Sequence, residues 1–157
     1  MAQIGINDSI VDRLADSYLF RGVPRSGIEL VYDSGNLIQV SEGDRIIEEG
    51  RVPQKLYILL SGEMEVILPD PANRSAGRRM ATLRVGDCFG EYGFIDRRPA
   101  SATVKAVRAA DVFALPLEKF DRLIQSDPGL ERVVYRNLLT LLVDRLRASN
   151  VLIDMLR

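Results

Sequence analysis

From Asn7 to Leu19 the apolar positions Ile10, Val11, Leu14, Tyr18 and Leu19 recur at helical spacing, with Asp8 or Ser9 placed to cap the first turn. Pro24 lacks a backbone N–H and biases Val23 towards an extended form, so Phe20 to Pro24 should end that helix. A second short helix is predicted over Ser26–Tyr32. At Leu37 the period changes. Short β-rich runs follow one another at Leu37–Val40, Arg45–Ile47, Leu56–Leu60, Glu63–Leu68, Met80–Arg84, Ala102–Val107 and Val112–Leu115. Between them lie Ser41-Glu42-Gly43-Asp44, Glu49-Gly50, Ser61-Gly62 and Val85-Gly86-Asp87, where glycine supplies positive φ and Asp or Ser bonds nearby backbone. Many short strands at close, even intervals predict a β-sandwich or barrel rather than a parallel sheet. Pro69 to Arg78 has no period and reads as a surface loop.

The helical period returns at Leu117–Gln125, with Leu117, Phe120, Leu123 and Ile124 along one face. Asp127-Pro128 then combines an N-cap with a proline at the first helical position. The helix it starts can run about 28 residues, or ~42 Å at 1.5 Å per residue. Leu139, Leu142, Leu146, Ser149, Ile153 and Leu156 form one stripe on it, and Leu138, Leu141, Ala148, Leu152 and Met155 form a second beside it. One stripe serves the β-domain; two call for a further partner. The expectation is a parallel homodimer through Leu139, Leu142, Leu146, Ile153 and Leu156.

At 157 residues the chain suits one domain, 1–157, divided into a helical lead-in (1–36), a β-barrel (37–116) and C-terminal helices (117–157). Its formal net charge of −1 recruits neither nucleic acid nor an anionic membrane. The single Cys88 cannot form an internal disulfide, and neither a signal peptide nor an 18-residue apolar run is evident, so a cytoplasmic location is expected. The absence of histidine removes Ser-His-Asp and Cys-His catalysis and His-bearing zinc sites, and one thiol cannot hold a metal cluster. No spacing pairs a nucleophile with a base, so a non-enzymatic, metal-free protein is expected.

The run Gly90-Glu91-Tyr92-Gly93-Phe94-Ile95-Asp96-Arg97-Arg98-Pro99-Ala100-Ser101-Ala102-Thr103-Val104 resembles the phosphate-binding cassette of cyclic-nucleotide-binding domains. Four further pieces resemble the same family in the right order. They are Leu19-Phe20-Arg21-Gly22-Val23, the hairpin Glu42–Gly50, the strand pair Leu56–Val66, and Gly86-Asp87-Cys88-Phe89 leading into the cassette. The likeness covers nearly the whole chain and points to the effector domains of catabolite activator proteins and the regulatory subunits of protein kinase A. It implies a mainly β fold with flanking helices: a jelly-roll-like β-barrel with a helical N-terminal lead-in, a short helix and a long C-terminal helix. A small ligand would lie between the cassette, 89–104, and that long helix.

In the family the cassette glutamate takes a ribose hydroxyl and an arginine neutralises the cyclic phosphate. Here Glu91 stands at the first position and Ala100 at the second. The candidate pocket is therefore Phe89, Gly90, Glu91, Tyr92, Arg97, Arg98, Pro99, Ala100, Ser101, Ala102 and Thr103, with cyclic AMP, cyclic GMP or another small anion as its ligand. Arginine holds phosphate through paired, charge-assisted bonds of roughly 1.5–3 kcal/mol each, so its absence weakens a cyclic nucleotide some hundreds-fold. Arg97 or Arg98 folding back, or the Ser101 hydroxyl, are the rescues open to the chain. Tyr92 and Phe94 read as core residues. Asn137, Thr140, Ser149 and Asn150 are polar positions from which the long helix can meet a base, and Arg74, Arg78 and Arg79 are basic positions open to a partner.

The leading expectation is a stand-alone regulatory or sensor domain of a signalling or transcription-control system, with weakened or lost cyclic mononucleotide binding. The alternatives are a functional cyclic AMP or cyclic GMP regulator using Arg97 or Arg98, and a dimerising interaction module with no ligand. The residues after the long helix leave no room for a helix-turn-helix, so direct DNA binding is not expected and an unidentified protein would supply the output.

Overall fold

The switch of period at Leu37 falls one residue after the chain passes from helices to sheet in the computed structural model, which describes residues 7–69 and 78–156. Helix α1 spans Asp8–Asp16 and α2 spans Arg25–Ser34, starting directly after Pro24. The α1 cap is Asn7, upstream of the expected Asp8 or Ser9. Its Oδ1 accepts from the N–H groups of Ser9 (3.1 Å) and Ile10 (3.4 Å).

Six strands follow: β1 Asn36–Val40, β2 Arg45–Ile47, β3 Lys55–Leu68, β4 Arg78–Leu83, β5 Cys88–Phe89 and β6 Thr103–Pro116. They form one antiparallel sheet in the order β1-β6-β3-β4, with β2 added on β6 and β5 on β3. The expected barrel is corrected in one respect: this sheet is open. Each of the two 14-residue strands, β3 and β6, also joins two runs that the sequence separates. Ser61-Gly62 does not turn the chain. Gly62 sits at φ 88° at a bulge where the β3–β6 register shifts, and a Cβ there would lie 2.4 Å from Ala109 O and 2.8 Å from Ala110 Cα. The glycine signal was real, but pairing along two long strands absorbed it as a bulge.

Alternation along β3 and β6 divides the interior into two cores. Ile58, Leu60, Phe113 and Leu115 join Leu14, Phe20, Ile28, Phe120, Val134 and Leu138 beneath the helices. Their neighbours Leu59, Val112 and Ala110 point the other way, into a second core with Val40, Ile47, Met64, Leu83, Phe89 and Val104.

Helix α3, Glu91–Asp96, was not separated from the cassette by periodicity, being under two turns long. Helix α4 spans Leu117–Ser126, and α5 spans Pro128–Met155, 28 residues. The α5 cap is as expected: Asp127 Oδ1 accepts from the N–H groups of Gly129 and Leu130, both at 3.1 Å. Leu130, Val134 and Leu138 bury one face of α5, and Leu141 packs half-buried below them. The two stripes separate there. Leu138 and Leu141 serve the domain, whereas Leu139 and Leu146 stand 64% and 62% exposed. Ala148 and Met155, assigned to the inner stripe, are exposed because the domain ends before they are reached.

No helix among the described residues is long and apolar enough to cross a membrane. Of the surface loop expected at Pro69–Arg78, residues 70–77, Arg74 included, lie outside the described residues, and Arg78 and Arg79 begin β4.

Candidate ligand site

The cassette is mounted from both ends on the loop between β2 and β3. At its start, Gly90 (φ 85°) turns the chain from β5 into α3, and a Cβ there would approach Lys55 O to 2.7 Å. Only glycine fits both the conformation and the space. Gly93 lies on Pro53, and Phe89 stacks on Tyr57 with ring centroids 5.1 Å apart. At the far end, Ala100 N–H donates to Arg51 O and Ala100 O accepts from Gly50 N–H, both at 2.8 Å. Thr103 Oγ1 accepts from Glu49 N–H at 3.3 Å. Phe94 points inward against Phe120 (5.0 Å) and Tyr135 (6.2 Å), so α3 is packed against α4 and α5 together.

At the centre is Glu91, a carboxylate only 3% exposed. It is paired with the Arg145 guanidinium, which reaches across from α5. Arg145 Nη2 also donates to Cys88 O at 3.4 Å, and the guanidinium lies 5.9 Å from the centre of the Tyr92 ring. Burial works against the Arg145 charge. The attraction and hydrogen bond of Glu91 outweigh it, and the guanidinium is held above its ordinary value. Burial, and then the Glu91 charge, push the Cys88 thiol far above the usual thiol range, so it is an inert core group.

Phe89, Gly90, Glu91, Ala100 and Thr103 are thus held together on the β2–β3 loop, the start of β3 and α5. Tyr92 is exposed, against the expectation of a core position, because it faces α5 rather than the sheet. Among the described residues, neither spacer arginine is paired with Glu91. Arg97, in the left-handed region at φ 58°, pairs with Asp121 of α4. Arg98 is exposed, as are Pro99 and Ser101. Among the helix polar positions, Asn137 Nδ2 donates to Leu19 O (2.8 Å) and Arg21 O (2.9 Å), which ties α5 to the segment after α1. The hydroxyls of Thr140 and Ser149 bond back to Arg136 O and Arg145 O, both at 3.0 Å, and Asn150 is exposed.

Arg145 is the site residue that sequence reasoning missed. Its signal was present. Val134, Leu138, Leu141 and Arg145 follow at spacings of four, three and four, so a charge falls on the helix's buried face. Such a charge needs a partner, and the buried carboxylate of the cassette is that partner.

The profile of the cyclic nucleotide-binding domain family matches residues 37–127. Over 114 residues the chain is 38% identical to glutaminase 1 of Bradyrhizobium diazoefficiens, covering 73% of this chain and 18% of that protein. The crystal structure of Thermus thermophilus catabolite activator protein superposes with a TM-score of 0.76 at 28% identity, over 89% of this chain and 63% of that one. A cyclic nucleotide-binding domain from Methylobacillus flagellatus superposes with a TM-score of 0.78 at 25% identity, over 90% and 79% of the two chains. The chain therefore spans under a fifth of the glutaminase and under two thirds of the activator.

Proposed function

The chain belongs to the cyclic nucleotide-binding domain family, and we propose that within it this domain is a regulator whose cyclic-mononucleotide binding is weakened and whose output is the position of α5. One observation carries this reading: the cassette keeps its fold and its buried Glu91, while the arginine position is Ala100 and Glu91 is paired to α5. Residues 1–157 act as one unit, with α5 its moving part and an unidentified partner protein its reader. Glu91 serves as an acceptor for a ligand hydroxyl rather than as a catalytic base. Calorimetric titration with cyclic AMP and cyclic GMP tests the reading. Without the paired arginine bonds, affinity should fall some hundreds-fold below that of an arginine-bearing cassette. Low-micromolar binding by the wild type would remove the claim of weakening.

The exposed side of α5 supports homodimerisation. Arg136, Leu139, Val143, Leu146, Asn150 and Ile153 alternate at spacings of three and four, and Leu139, Val143, Leu146 and Ile153 among them are exposed apolar residues. In heptad terms Val143 and Asn150 fall at a positions and Leu139, Leu146 and Ile153 at d positions. That pattern favours two parallel strands, with the asparagine setting register. The track includes Val143, absent from the stripe read off the sequence, whereas the half-buried Leu142 falls beside it. Leu146→Asp is expected to convert a sedimenting dimer into a monomer at micromolar concentration. A wild-type monomer under the same conditions would rule out the dimer.

A further inference from the structure

We propose that the cleft between β2 and the segment leading into β3 binds a compact phosphate-class anion through Arg45 and Arg51. The site lies apart from the cassette, and the inference stands whether or not the cassette takes a nucleotide.

The two arms of this connection enclose a cavity of about 260 Å³, with Arg45 and Glu48 on one arm and Arg51, Pro53, Gln54 and Tyr57 on the other. Among the described residues, none of 89–104 lines it. At about 30 Å³ per water it has room for roughly nine water-sized groups. That suits a phosphate or a pyrophosphate and is too little for a whole cyclic mononucleotide.

The walls carry two guanidinium groups against one carboxylate. Glu48 Oε2 holds Arg51 Nε at 3.2 Å, so both terminal nitrogens of Arg51 remain as donors. Among the described residues, Arg45 has no carboxylate within ion-pair distance. Directly opposite it across the β2–β6 ladder stands Lys105, a second cation. Glu65 of β3 answers Lys105 from its other side, which leaves Arg45 unbalanced. Like charges directly opposite in a sheet are destabilising, and an anion held by Arg45 and Arg51 offsets that repulsion. Tyr57 adds a neutral donor. Burial holds its phenol above the ordinary value, so the hydroxyl keeps its proton at neutral pH. Phosphate matches this set, because a guanidinium fork bonds two of its oxygens at once.

The same walls carry the cassette. Gly50 N–H and Arg51 O hold Ala100, and Glu49 N–H holds Thr103. Pro53 lies against Gly93, and a Cβ at Gly90 would lie 3.5 Å from both Ile47 and Tyr57. One layer of side chains therefore separates the cleft from the cassette's opening turn. An anion that draws Arg45 and Arg51 together fixes the loop on which the cassette is mounted, so occupancy of the cleft biases the cassette's geometry.

Calorimetric titration of the full chain with pyrophosphate, in a phosphate-free buffer of low ionic strength, tests the assignment. The wild type should bind. Arg45→Gln and Arg51→Gln should each weaken binding by about tenfold or more, the worth of one charge-assisted bond. Both side chains are exposed, so neither variant threatens the fold. Arg122→Gln removes an exposed arginine of α4 and should leave binding unchanged. Amide NMR shifts locate the anion and should centre on residues 45–57. Equal weakening by all three variants would mean that the anion answers only the chain's overall charge, and would overturn the site. So would shifts centred on residues 90–101 that survive Arg45→Gln, since they place the anion at the cassette. A wild type that does not bind at millimolar pyrophosphate also ends the proposal, and leaves the regulatory reading untouched.

Discussion

Arg145→Ala lowers the unfolding free energy by about 3 kcal/mol, at the lower end of the 3–5 kcal/mol range for breaking a buried ion pair. The lower end applies because the Arg145 side chain is 35% exposed, whereas that of Glu91 is 4% exposed. Truncation leaves the carboxylate buried without its cation, and that cost greatly exceeds the 0–1 kcal/mol of a surface pair. The exposed pair Arg122–Glu118 is the internal comparison, and removing it should change stability by less than 1 kcal/mol. Urea unfolding followed by circular dichroism, at one fixed protein concentration, measures both. Combining Arg145→Ala with Glu91→Gln should recover much of the loss, because the second change removes the charge that the first stranded. A loss under 1 kcal/mol for Arg145→Ala would mean that Glu91 is solvated in solution and that α5 is not latched to the cassette.

Ala100→Arg raises the affinity for cyclic AMP by about a hundredfold, through one or two charge-assisted bonds to phosphate at 1.4 kcal/mol per decade. The position tolerates the change in backbone terms. Both main-chain groups of Ala100 are bonded to the β2–β3 loop, and the residue is half-buried at the margin of the second core rather than inside it. A longer side chain there leaves both main-chain bonds in place. The gain should appear as a slower dissociation rate, because the new bonds form only in the complex. Unchanged affinity in a folded Ala100→Arg protein would show that the cassette no longer accepts a cyclic phosphate, and would leave the interaction-module reading as the stronger one.

Much of the architecture was legible because it is specified locally. The start of α2 directly after Pro24, the Asp127-Pro128 start and the 28-residue run of α5 follow from caps and period alone, whereas α1 stops at Asp16, short of the Leu19 its period suggests. The glycine-bounded strand runs were legible for the same reason, and so was the cassette, whose Gly90 and Glu91 carry local steric and chemical demands. Errors arose where non-local pairing overrode a local signal. Ser61-Gly62 was read as a turn and is a bulge, because β3 and β6 pair across it over 14 residues each. The two-residue β5 has too little sequence to show a period, and it exists because Tyr57 and Ile58 offer it a ladder.

The candidate site divides along the same line. Sequence alone determined that Ala100 carries no charge in any fold. The resemblance to the family, and not the residues themselves, puts one carboxylate, Glu91, where a ligand hydroxyl is expected. Only the tertiary structure decided what those two facts mean together. Arg145 lies 54 residues beyond Glu91, and whether it points at the cassette or at water depends on the rotation of α5. That rotation is set by Leu130, Val134 and Leu138 against the first core and by Asn137 on Leu19 and Arg21. A helical period states that residues share a face but not what the face meets, because the meeting is a property of the packed domain rather than of the helix.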